Sequence, residues 1–96
     1  MRIVFSRAAQ QDLDALFDWI ALDSGMDRAE AILRRIDETL FNLASTPGIG
    51  RLRNDLDGAP RSFAIWPWLV LYEPTANNDG ILVLRVIDGR RDLPKP

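Results

Sequence analysis

Ninety-six residues set the scale: one modest hydrophobic core fits in such a chain and a second does not, so residues 1–96 read as a single domain. Neither cysteine nor histidine is present, which excludes disulfides, thiolate chemistry, zinc sites built on those ligands, and imidazole proton transfer near neutral pH. A formal net charge of −2 gives the chain no general attraction to nucleic acid, and no sequence-specific nucleic-acid binding is expected of it.

Ile3-Val4-Phe5 is a short β-branched and aromatic run that predicts a first strand. Ser6 follows as a helix N-cap candidate. Leu13, Leu16, Phe17 and Ile20 then recur at helical spacing, with Ala9 extending the same face backward. Asp12, Asp14 and Asp18 fall outside that stripe and follow no coordination pattern, so they read as a solvated face. Ser24-Gly25 ends the helix, with glycine in a left-handed conformation. Asp27 reads as the cap of a second helix, Glu30 completing a capping-box pattern. Ala29, Ile32, Leu33, Ile36, Leu40 and Leu43 form its apolar face, and the helix must stop before Pro47-Gly48. Two amphipathic helices with so short a link predict an antiparallel hairpin.

Residues 47–60 are punctuated by Pro47, Gly48, Gly50, Asn54, Asp57, Gly58 and Pro60 and read as loop. Strands are predicted over residues 61–66 and 68–73, joined tightly at Pro67. Asn77-Asn78-Asp79-Gly80 signals a hairpin turn. The near-continuous apolar run 81–87 suggests a central strand covered on both faces. The resulting expectation is an α+β domain: an N-terminal strand, an antiparallel two-helix hairpin, then three antiparallel strands in one sheet, four strands in all, with the helices on one face. No stretch approaches the ~20 apolar residues of a membrane span, and the apolar run after Arg2 is too short for a signal peptide. A soluble protein of a reducing cytoplasm is expected.

Eleven of the twelve basic residues are arginine, the better donor for bidentate contacts to carboxylate or phosphate. Residues 1–48 carry five basic and eight acidic side chains, whereas residues 49–96 carry seven and six. Arg51, Arg53, Arg61 and Arg85 are the arginines that loop and strands could bring to one sheet face, where they would meet phosphates or an acidic protein segment. Trp19, Trp66 and Trp68 are candidate contact residues, since tryptophan buries much area with few rotors.

The ending Leu84-Arg85-Val86-Ile87-Asp88-Gly89-Arg90-Arg91-Asp92-Leu93 resembles the closing signature of the RelE/ParE toxins, commonly arginine-valine-apolar-histidine-glycine-arginine-arginine-aspartate. Asp12-Leu13, Pro47-x-x-Gly50, Arg61 and Trp68-Leu69-Val70-Leu71-Tyr72 match in family order, so the likeness spans almost the whole chain. The resemblance implies the toxin of a type II toxin–antitoxin module, held inactive in a hetero-oligomer by a ParD-like antitoxin whose tail wraps over it. One branch of the family cuts messenger RNA in the ribosome; the other inhibits DNA gyrase and is not a catalyst.

The departures favour the gyrase branch. Asp88 stands where histidine is frequent, Tyr72 is the only tyrosine and lies well before the C-terminus, and Lys95 is the only lysine. An acidic chain also gains little electrostatic help in reaching ribosomal RNA. Asp88 is expected to pair with Arg90 or Arg91 and hold the turn after the last strand. The resemblance assigns target contact to Arg85, Arg90 and Arg91 with the tail beyond. Antitoxin contact is expected at Leu16, Trp19, Ile20, Trp66 and Trp68, through a groove of the hairpin or an added strand at the sheet edge. No catalytic residue, cofactor or metal is expected. Under the alternative, a ribosome-dependent endoribonuclease, Arg53, Arg61 and Arg85 would carry the chemistry, although arginine is a poor general base. A third reading keeps antitoxin binding and loses toxicity.

Overall fold

The computed structural model describes residues 1–90. Strand β1 (Arg2–Phe5) leads into helix α1 (Arg7–Ser24) and helix α2 (Met26–Ser45). A 3-10 turn (Pro47–Ile49) and a two-residue strand β2 (Arg51–Leu52) follow, then β3 (Arg61–Ile65), β4 (Trp68–Pro74) and β5 (Gly80–Asp88). The element order is the expected one, and the α+β class holds.

Ser6 starts α1 as predicted. Its hydroxyl oxygen accepts the Ala9 N–H at 3.0 Å and donates to the Leu84 carbonyl at 2.7 Å. One side chain therefore caps the helix and ties it to β5, the cap alone contributing about 1 kcal/mol. At the other end, Gly25 takes φ 92° and ψ 163°, a positive φ outside the left-handed helical well. Its N–H donates to the Ala21 carbonyl and its own carbonyl accepts from Ala29, so one glycine closes α1 and opens α2. This corrects the expected cap. Asp27 lies inside the first turn of α2, where no side chain makes a capping bond. The Asp27–Glu30 pattern is displaced because a single residue with positive φ makes the whole turn, leaving no separate N-cap position.

The sheet has five strands in the order β1-β5-β4-β3-β2, with β1 parallel to β5 and the other pairs antiparallel. The extra strand is β2, which pairs Arg51 with Ser62 and Leu52 with Arg61. Two exposed residues carry no periodicity, so this segment reads as loop from sequence. The Trp66–Pro67 peptide is cis at the tight β3–β4 turn. The β4–β5 hairpin turns at the Asn-Asn-Asp-Gly segment, where Asn78 takes a positive φ of 58°.

The helix hairpin covers one sheet face. Leu13, Leu16 and Ile20 of α1 and Ile36, Leu40 and Leu43 of α2 pack against Val70, Tyr72, Ile81, Val83 and Val86. Each buried aliphatic side chain contributes roughly 1.5–3 kcal/mol. On the opposite face, Leu56 from the 53–60 loop joins Leu71 and Ile87 in a smaller cluster. Strand β5 is thus covered on both faces, as its apolar run predicts.

Candidate functional site

The strand lengths create the site. β1 pairs only with Gly80–Val83; the Ser6 N–H then reaches the Val83 carbonyl at 2.9 Å, and the chain turns away into α1. The second half of β5 is left facing α1 rather than a strand. A bulge helps, because Leu71 pairs with Arg85 while Tyr72 pairs with Val83, leaving Leu84 as the extra residue. Between α1 and this half of β5 runs a groove of about 260 Å3. Leu16 reaches its floor, Trp19 and Trp68 supply its apolar walls, and Arg85 and Arg90 its charge, Arg85 matched to Asp12 of α1 and Arg90 to Asp88 of β5.

Asp12 is the pivot of the groove. Its carboxylate takes a two-pronged contact from Arg85, Nε to Oδ2 at 2.7 Å and an Nη to Oδ1 at 3.0 Å. Oδ2 also accepts the Val86 N–H at 2.9 Å. A helix carboxylate therefore satisfies a backbone donor that a neighbouring strand would otherwise take, and in doing so fixes the Arg85 guanidinium. The expectation of a solvated face fails here: the Asp12 side chain is only 17% exposed, whereas Asp14 and Asp18 are exposed as predicted. The spacing Asp12, Leu16, Trp19 is itself one helical ridge running at i, i+4, i+7, a signal that a count of apolar residues alone misses.

Asp88 holds Arg90 as expected. Its carboxylate accepts the Arg90 backbone N–H at 2.9 Å and two guanidinium donors at 3.0 and 2.8 Å. These bonds and the Asp88 charge raise the Arg90 pKa above its usual value. Two of the three predicted target-contact residues, Arg85 and Arg90, thus share one groove with Trp19 and Trp68. The third, Arg91, lies outside the described residues, as does the tail beyond it.

The remaining sequence candidates are dispersed. Leu16 and Ile20 are 6% and 3% exposed, so neither offers a partner its side chain as a contact surface; their helical spacing reports core packing, with Leu16 reaching only the groove floor. Trp66 is exposed on the β3–β4 turn and does not line the groove. Nor do the four arginines gather on one face. Arg53 is buried, with its guanidinium on Asp55 at 2.9 and 2.7 Å. Arg61 donates to the Gly50 carbonyl at 2.8 Å, Arg51 is exposed on β2, and of the four only Arg85 lines the groove. Arg53 holds the Asp55 carboxyl at about 2 by hydrogen bonding.

Tyr72 is wholly buried. Its phenol accepts the Gly50 N–H and donates to the Pro47 carbonyl, both at 2.8 Å. Burial pushes its pKa above the ordinary value, although the Gly50 bond and nearby Arg61 work against the rise. The tyrosine buckles the 47–50 segment onto the sheet and is not available to a substrate. A Cβ on Gly50 would collide with the Tyr72 ring and hydroxyl, which accounts for the glycine. Among the described residues no group of three or more Asp or Glu side chains is placed to hold a metal ion, and no helix is long and apolar enough to cross a membrane.

Comparison with known proteins agrees with this fold. The chain is 36% identical over 92 residues to toxin ParE3 of Caulobacter vibrioides, covering 96% of this chain and 90% of that one. It is 29% identical over 94 residues to toxin ParE1 of Mycobacterium tuberculosis, covering 98% and 95%. A solved structure described as the chromosomal ParDE TA system from P. aeruginosa superposes with a TM-score of 0.73 at 25% identity, over 92% of this chain and 95% of that one. The sequence model of the ParE toxin of type II toxin–antitoxin systems, parDE, matches residues 3–93, and the chain belongs to that toxin family.

Proposed function

We propose that this toxin acts in the cytoplasm by inhibiting DNA gyrase, without catalysis of its own, and that a cognate antitoxin silences it by covering the groove between α1 and β5. The observation that carries this reading is the engagement of every arginine an endoribonuclease would need. Arg53 is held by Asp55, Arg61 by a backbone carbonyl and Arg85 by Asp12, and only Arg85 lines the groove. Tyr72 is sealed in the core. Such a set lacks a general base and has no shared pocket in which to stabilise a phosphorane-like charge.

The groove suits protein recognition. Trp19, 56% exposed, and Trp68 present large apolar surfaces beside two fixed guanidinium groups, the composition typical of contact hot spots. An antitoxin segment seated there would hide Arg85 and Arg90 from the target, so neutralisation and toxicity would compete for one surface. Trp66 extends the contact if the antitoxin passes over the β3–β4 turn.

Inducing the chain in bacteria without antitoxin, while following the DNA-damage response and the translation rate together, tests the assignment. The reading expects a damage response with translation initially intact. Rapid translation arrest without damage, lost on Arg61→Ala or Arg85→Ala, would transfer the case to messenger cleavage. Normal growth with abundant soluble toxin would indicate that only antitoxin binding survives.

A further inference from the structure

Residues 53–60 form a strap that leads from β2 to β3 across the sheet face opposite the helices. Of its residues only Arg53, Leu56 and Pro60 are buried. Its backbone bonds close on the strap itself. The Arg53 N–H donates to the Pro60 carbonyl at 2.7 Å, the Leu56 N–H to the Arg53 carbonyl at 3.2 Å, and the Ala59 N–H to the Leu56 carbonyl at 3.1 Å. Arg53 and Asp55 likewise pair within it. The strap's apolar hold on the sheet is Leu56, packed with Leu71 and Ile87. Against that hold works Ala59, whose φ is 45°. A Cβ makes this region of backbone space costly, and the proline that follows presses Ala59 further toward an extended conformation. Asn78, also at positive φ, is of a residue type that tolerates it, and Gly58 takes φ 79° with no Cβ to clash. Ala59 has neither excuse.

We propose that the strap opens as one unit while the helices and the sheet stay folded, and that the strain at Ala59 sets how often it does so. Backbone strain of this kind persists only where surrounding contacts enforce it. Here the enforcing contacts are one leucine and a ring of turn bonds, and they fail together. Relaxing Ala59 carries the Pro60 carbonyl away from the Arg53 N–H, and the turn that seats Leu56 goes with it. A segment with one apolar anchor and a mostly exposed backbone belongs to the low-stability end of a fold. Opening uncovers Leu71 and Ile87, with the half-buried Leu69 and Leu84 beside them. The toxin thereby carries an apolar strip, on the sheet face away from the helices, whose centre is presented only when the strap is open. The inference depends neither on gyrase nor on the antitoxin.

Hydrogen exchange of the full chain, followed amide by amide at increasing sub-denaturing urea, tests this. The Arg53, Leu56 and Ala59 amides should share one protection factor, lower than that of the amides in β4 and β5, and one shallow urea dependence. Ala59→Gly removes the Cβ and should raise all three together, on the order of fivefold, the greater freedom of glycine in the open strap offsetting part of the gain. Leu56→Ala should lower them together by about tenfold or more. Three unrelated protection factors would mean independent fraying and would overturn the single unit. Protection and urea dependence equal to those of β4 and β5 would place strap opening in global unfolding alone, and would overturn it as well. Unchanged protection in Ala59→Gly would overturn the role given to strain.

Discussion

Single side chains in this toxin join elements that the backbone alone would leave apart. Tyr72 fastens the 47–50 segment with one phenol that both accepts and donates. Tyr72→Phe keeps the ring's packing but strands the Gly50 N–H and the Pro47 carbonyl, and should cost about 2 kcal/mol of stability, read from denaturant unfolding. An unchanged midpoint would mean that water replaces the phenol. Asp12 carries more, because its carboxylate serves both Arg85 and the Val86 N–H. Asp12→Ala should destabilise the fold by about 2 kcal/mol and remove the two-pronged contact on Arg85, weakening antitoxin binding beyond what lost stability explains. Asp12→Asn, which retains one acceptor oxygen, should recover part of both effects.

At the scale of elements, much was legible in the sequence because local chemistry and tertiary demand agree. Ser6 caps α1, the apolar stripes of both helices reach the core, and the Asn-Asn-Asp-Gly segment turns a hairpin. Misreadings occurred where a tertiary partner decides. Asp12 looks like its neighbours Asp14 and Asp18 until β5 supplies an unpaired N–H. Gly25 displaces the Asp27 cap because one positive φ serves two helices. β2 pairs with β3 next to the point where the Arg53 N–H reaches the Pro60 carbonyl at 2.7 Å, a long-range closure that local sequence does not announce. That loop also carries a pH signature. The Asp55 carboxyl lies at about 2, below its ordinary value, through its bond to Arg53. Its stabilising contribution is complete above about pH 4 and is lost as pH falls through about 2. Asp55→Asn should flatten the acid-unfolding curve across that window, and an unaltered curve would show that the pair does not couple to folding.

For the whole molecule, the site was legible in part. The ending from Leu84 onward pointed to Arg85 and Arg90 as contact residues, and the geometry places both in one groove with Trp19 and Trp68. Leu16 and Ile20 are buried in the core-facing stripe, which helical spacing marks without saying which residues remain accessible. Trp19 separates stability from recognition. Being 56% exposed, Trp19→Ala should leave the unfolding midpoint within about 0.5 kcal/mol yet cost about 2 kcal/mol of antitoxin affinity; an equal loss in both would recast it as a core residue.

Among the described residues no catalytic groups converge, and the proposed action of this toxin is binding to the supercoiling machinery. Purified gyrase with relaxed plasmid, titrated with folded toxin and then with antitoxin, tests this most directly. Supercoiling should fall as toxin is added, weaken in its response to Arg90→Ala, and recover when antitoxin is supplied. Undiminished supercoiling at every toxin concentration, with folding verified in the same sample, would contradict the account.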